Sequence, residues 1–194
     1  MASVSAKRSV WTALRGGARL MSGLALLAVA ACGGGASAPT SAGSATGPAW
    51  MNRGSGPSAS ERGRAFYGVG VSEGVKGQAM RRKDADGKAR DEIAGLVANY
   101  NAKLARSYAT AAGDAAQEQT VVDALKAIAG KQLAPVRIVD HWVSKSGNES
   151  ALSMLDLETL KASIDKAETL AAEIRDALKA AADKAFDDPD EPKS

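Results

Sequence analysis

Residues 135–157 read PVRIVDHWVSKSGNESALSMLDL. The first nine are rich in β-branched and aromatic side chains, which favours a strand. Residues 145–149 supply turn chemistry through Ser146, Gly147 and Asn148. Residues 151–157 return as a second strand, so the stretch predicts an antiparallel hairpin. Within it, Trp142 and its apolar neighbours are expected to anchor the sheet to a helix.

The partner helix lies upstream, over residues 75–109. Ala85, Ala89, Ile93, Leu96, Val97, Tyr100 and Leu104 recur at spacings of three and four, which marks one helix face. Gly77 and Gly87 each weaken it by about 1 kcal/mol relative to alanine, and Gly113-Asp114 ends the pattern. Before it, residues 65–71 (AFYGVGV) form a strand pattern. Glycines inside a strand mark a bulge or the close approach of another backbone. Gly68-Val69-Gly70 lacks the third glycine of a dinucleotide loop and the Lys-Ser/Thr of a Walker loop. A shorter helix is predicted over residues 120–129, with Gly130 as its stop.

Downstream, one helix is predicted over residues 158–186. Leu157, Leu160, Ile164, Ala167, Ala171, Ile174, Leu178, Ala181 and Ala185 alternate in spacing by three and four, a heptad seam. This seam either packs on the domain's own sheet or pairs with another chain. The fold class is therefore α+β: a long helix on a small antiparallel sheet, with a long C-terminal amphipathic helix. Residues 187–194 read as a disordered acidic tail.

The N-terminus carries a different signal. Lys7, Arg8, Arg15 and Arg19 precede a short apolar run that ends at Cys32, the chain's one cysteine. No acidic residue comes before it. Residues 20–31 would span about 18 Å as a helix, short of the roughly 30 Å of a bilayer core, so the pattern is a secretory signal and not a span. Val29-Ala30-Ala31-Cys32 resembles the lipobox of bacterial lipoproteins. That resemblance implies cleavage between Ala31 and Cys32 and lipidation of the Cys32 thiol. Gly33 follows where inner-membrane retention uses an acidic residue in well-studied lipoproteins, which points to the outer membrane. Residues 33–48 (GGGASAPTSAGSATGP) form a flexible tether with a reach of about 20–24 Å. The organisation read from the chain is thus a signal peptide over 1–31, lipidated cysteine and tether over 32–62, a domain over 63–186 and a tail over 187–194.

The chain has 25 basic and 22 acidic residues. The signal holds four of the basic ones, so the chain from Cys32 on carries 21 against 22, a net charge of −1. That leaves no electrostatic case for nucleic acid. With Cys32 lipidated, no disulfide can form within the chain. Aromatic residues are only 4% of the chain, which favours a helix-rich domain with a thin core.

No catalytic constellation emerges. His141 is the one histidine and lies in a strand pattern, without the partners of a zinc site. No Gly-x-Ser-x-Gly elbow is present. Asp84, Asp86, Asp91 and Glu92 interleave with Arg81, Arg82, Lys83, Lys88 and Arg90, the pattern of a salt-bridged solvated helix face. The acids of residues 187–191 lack calcium-loop spacing.

Several motifs recur together in one family. Pro48-Ala49-Trp50 follows the tether, and Phe66-Tyr67-Gly68-Val69-Gly70 opens the domain. The long helix carries Ala85-x-x-x-Ala89-Arg90-x-Glu92-Ile93-Ala94. Ile138-Val139-Asp140-His141-Trp142-Val143 precedes the Gly147 turn, and residues 151–157 follow. Over residues 48–160 this order resembles the Lpp-twenty family of small bacterial membrane-anchored lipoproteins. The resemblance implies a compact α+β domain, an outer-membrane or periplasm-facing anchor, and for some members a structural part in surface or flagellar assemblies. The expected function is a non-enzymatic, lipid-anchored envelope protein with a structural or assembly role. The alternative is an envelope binding module that presents its sheet face to a protein or small ligand. Expected partners are the membrane and a homo-oligomer or envelope complex; no cofactor or metal is expected.

Overall fold

Two glycines on one strand set the architecture, because they let a helix backbone lie directly on a sheet backbone. The computed structural model describes residues 47–60 and 63–188. The element order is α1 (Ala49–Arg53), β1 (Gly56–Ser60), β2 (Gly63–Ser72), α2 (Gln78–Ala112), α3 (Ala116–Ala127), α4 (Ala129–Leu133), β3 (Arg137–Val143), β4 (Glu149–Asp156), α5 (Leu157–Ser163), a 3-10 turn (Ile164–Lys166) and α6 (Ala172–Asp187). The four strands form one antiparallel sheet in the order β1-β2-β4-β3. The α+β class and the predicted hairpin are as expected, with a long helix packed on an antiparallel sheet.

On β2, Phe66, Gly68, Gly70 and Ser72 face α2, while Tyr67, Val69 and Val71 face away and are half-buried. A Cβ at Gly68 would lie 2.3 Å from the Ala89 carbonyl oxygen, and one at Gly70 would lie 2.2 Å from that of Ala85. The glycines thus mark a close backbone approach rather than a bulge. Ala85, Ala89 and Ala151 complete this tight end, with Ile138 packed against them. The Ser153 hydroxyl, on β4, donates to the Ala89 carbonyl at 2.6 Å.

Toward its C-terminus α2 parts from the sheet, and larger side chains fill the widening wedge. Ile93, Val97, Tyr100 and Leu104 meet Phe66, Leu155, Leu157 and Leu160. Phe66 packs edge-on against both Tyr100 and Phe186, with ring centroids 5.3 Å and 5.1 Å away. Val121 and Leu125 of α3 close the core from the far side. Asn101 and Gln132 satisfy each other's buried amides at 2.8 Å and 3.3 Å. Gly113 takes a left-handed conformation (φ 68°) and stops α2 where the sequence pattern broke.

The predicted single helix over residues 158–186 is corrected. It is two helices that fold back on each other, with Ala167 (ψ 66°) and Ala171 (ψ 153°) leaving helical conformation between them. Lys161 pairs with Asp183 at 3.1 Å and Lys179 with Asp165 at 2.7 Å, an antiparallel pattern. The fold-back buries Ile164, Ala167, Leu170, Leu178 and Phe186 in one core. Each large side chain so buried is worth about 1.5–3 kcal/mol, against about 1 kcal/mol for each helical hydrogen bond forgone. Burial therefore wins over a locally unbroken helix. The core runs on to Phe186, beyond the residues 48–160 that carry the resemblance. Asp187 and Asp188, read as tail, pair with Arg64 and Lys103 at 3.5 Å each.

Two further expectations change. Residues 49–53 and 56–60, read as tether, form α1 and β1. Their few apolar residues gave no pattern long enough to signal an element, and β1 owes its order to pairing with β2. The signal peptide, Ala31, Cys32, most of the tether and residues 189–194 lie outside the described residues.

Tyr100 links the two halves of the helical layer: its hydroxyl donates to the Ala182 carbonyl of α6 at 2.9 Å. Burial, reinforced by the nearby Asp183 and Glu158, pushes its phenol far above the ordinary 10.0. The folded state therefore keeps this proton where the unfolded chain loses it. The contribution is whole below about pH 10 and is lost as pH rises beyond that. Tyr100→Phe is expected to cost about 1 kcal/mol at neutral pH and to flatten the alkaline fall of the melting midpoint. A midpoint-versus-pH series on both proteins checks this; equal alkaline slopes would show that Tyr100 is not the group responsible.

Candidate functional site

The polar chemistry of the domain gathers on both sides of β3, and a bulge decides which residue goes where. Ile138 pairs with Ser153 and Asp140 with Leu152, so Val139 is an extra residue in the ladder. Without it, Ile138, Asp140 and Trp142 would share one face. With it, His141 turns toward α2 while Asp140 and Trp142 turn to the opposite, outer face.

On the α2 side the sheet end carries Arg82, Asp86, His141 and Glu149. The His141 Nε2 lies 2.6 Å from Asp86 Oδ1. An Arg82 guanidinium N–H faces His141 Nδ1 at 2.9 Å. With its proton on Nε2 the ring donates to Asp86 and accepts from Arg82 at Nδ1, while the Arg82 Nε–H also points at Nε2 from 3.3 Å. Arg82 Nε also stands 3.8 Å from Glu149 Oε1. The Glu149 side chain is 3% exposed and its Oε2 has no hydrogen-bond partner. Both imidazole nitrogens thus face side chains of α2. The arrangement pins the first turns of α2 to the β3–β4 hairpin.

Asp84 and Lys88 hold the other side of α2 at 2.9 Å, and the Lys88 ammonium also donates to the Val71 carbonyl. The Lys88 ammonium, then the Ser72 hydroxyl, keep the Asp84 carboxyl below its usual range. The expected solvated salt-bridge face is found for Asp84, and Asp91 and Glu92 are exposed. Asp86 departs from it by reaching across to His141. Glu149, read as part of a turn, is the buried member that spacing alone did not reveal. Its register opposite Ser72 on the α2 side puts it there.

An open groove of about 560 Å³ runs beside α2, with Val75, Met80 and Gly87 in it and Lys83, Lys88, Asp84 and Asp91 around it. A void of about 20 Å³ between Phe66, Tyr100 and Phe186 has room for about one water. Among the described residues no three His, Cys, Asp or Glu side chains are grouped to hold a metal. No helix among them is long and apolar enough to cross a membrane.

The outer face of the sheet is apolar: Tyr67, Val69 and Val71 on β2, Leu152 and Met154 on β4, Trp142 on β3. The segment from Gly47 through α1 lies against it. The Trp50 indole N–H donates to Asp140 Oδ2 at 2.8 Å. Gly47 sits on the Trp142 ring, where an added Cβ would come within 3.2 Å of the indole. The Ser55 hydroxyl accepts from the Val69 N–H at 2.9 Å. Trp142 therefore does not anchor the sheet to α2, as the alternation suggested. It is half-buried and holds the N-terminal segment instead. In the sequence, only Trp50 and Met51 after a Gly/Ser-rich run hinted at this docking. Compared with family models, curated proteins and solved structures, the chain matches none.

Proposed function

We propose that this chain is a lipid-anchored bacterial envelope protein with a structural or assembly role and no enzymatic activity, of the kind found in the Lpp-twenty family. The observation that carries the reading is Val29-Ala30-Ala31-Cys32 directly behind a short apolar run with a basic front. Two things support it. The described fold, a long helix on an antiparallel sheet, is the one the resemblance implies. The imidazole of the one histidine is held on both nitrogens by Asp86 and Arg82, which suits a structural part. The anchor would be the acylated Cys32, facing the periplasm from the outer membrane. Stable attachment needs more than one acyl chain, because a single chain binds only marginally. The second reading, a binding module, draws on the apolar outer sheet face and on Val139 and Val143, which are exposed along β3.

Cys32→Ala is expected to leave an unprocessed precursor and to abolish incorporation of labelled palmitate. A mutant that still takes up the label would overturn the lipobox assignment. Membrane fractionation of the same cells then reads which membrane holds the protein.

A further inference from the structure

We propose that residues 47–53 form an exchangeable strap, and that the strap of one chain docks on the outer sheet face of a second copy. This rests on the assembly role proposed above and names the contact through which copies would join. The strap is lightly held. α1 is a single turn with no buried residue and no side-chain cap at Pro48, and a lone turn has little stability of its own. Its side-chain anchors are the Trp50–Asp140 hydrogen bond and the Gly47 contact with Trp142.

The site beneath the strap needs a cover. Leu152 and Ser150 point away from α2, yet they are only 7% and 1% exposed. Opening the strap would expose Leu152 and the Trp142 ring, which disfavours an empty open state. A second strap of the same sequence removes that cost, since every chain carries both Trp50 and the Asp140–Trp142 receptor. Exchange of an identical element makes the same contacts between chains as within one.

The joint to β1 is suited to reorientation. Gly54 (φ 74°) and Gly56 (φ 148°) flank Ser55, and a Cβ added at either would meet nothing within 4 Å. The joint can swing without unpacking side chains, at the loss of the Ser55–Val69 bond. Anchoring adds the remaining element: chains confined to one membrane surface meet at a high effective concentration, which favours the second contact.

The test uses two full-length chains with different tags, produced in the same bacterial cells. One has Trp50 replaced by the photo-reactive p-benzoylphenylalanine. After irradiation the expected product is an adduct bearing both tags, joined from position 50 to a peptide spanning residues 137–152 of the other chain. The reciprocal experiment, with the photo-reactive residue at Trp142, leaves the Trp50 indole intact and should capture residues 47–53 of the other chain; adding Asp140→Ala to the chain that carries the photo-reactive residue should lower that yield about fivefold, the weight of one hydrogen bond. Adducts confined to single chains, two-tag adducts on any other surface, or none from either position would overturn the proposal. Palmitate labelling of the same cells reads the anchor separately. Label without two-tag adducts removes the exchange alone, and two-tag adducts without label remove the anchor alone.

Discussion

Gly70→Val is expected to cost at least about 3 kcal/mol, at or beyond the upper end of ordinary overpacking. A Cβ there would lie 2.2 Å from the Ala85 carbonyl oxygen and 2.3 Å from the Ala89 amide nitrogen. Those atoms are helix backbone and have no rotamer by which to move aside. Relief requires α2 to retreat from the sheet, which would strip Ala85, Ala89 and Ala151 of their contacts and stretch the Ser153 bond to Ala89. Total stabilities of domains this size are about 5–15 kcal/mol, so the change removes a large part of the whole. Gly87→Ala is the matched control. Gly87 lies on the same helix, and a Cβ there meets nothing within 4 Å. Its replacement should stabilise by about 1 kcal/mol through helix propensity. Urea denaturation of a chain beginning at Gly47 measures both. A Gly70→Val protein with an unchanged midpoint would show that helix and strand are not in backbone contact.

Ile174→Asp together with Leu178→Asp is expected to unfold the monomer. Leu178 is fully buried among the residues of the main core, and Ile174 packs against that core from its edge. Truncating a buried leucine to alanine costs about 2–5 kcal/mol. A carboxylate in its place adds the penalty of burying charge without a partner. The double change should abolish cooperative unfolding by circular dichroism, whereas Glu173→Ala on the exposed face should leave the midpoint near that of the parent. Light scattering separates the two roles of the heptad seam. A double variant that stays folded but becomes a smaller species would mean that this face had been covered by a second chain, and that Leu178 is not part of the intramolecular core.

The broad plan was legible in the chain because it rests on periodicity and on local chemistry. The spacing of Ala85, Ala89, Ile93, Val97, Tyr100 and Leu104 wrote out the buried face of α2 almost residue for residue. The β-branched run ending at Val143 and the turn through Gly147 gave the hairpin. Gly68 and Gly70 marked either a bulge or a close backbone approach, and the structure shows the approach. Asp84 with Lys88 followed from their spacing of four.

The tertiary structure decided what periodicity cannot carry. A heptad pattern states which side chains share a stripe, not whether the helix bearing it stays whole. Folding back at residues 167–171 brought Phe186 onto Phe66 and Leu178 into the same core, and that burial outweighed the local preference for one helix. Alternation fixes faces only while the ladder is unbroken. One extra residue at Val139 reversed the pattern, sent Trp142 to the outer face and brought His141 to Asp86 and Arg82. Glu149 became buried, and Trp50 found Asp140, only through contacts between segments far apart in the chain. Such contacts depend on register and packing across the sheet, which the local sequence does not encode.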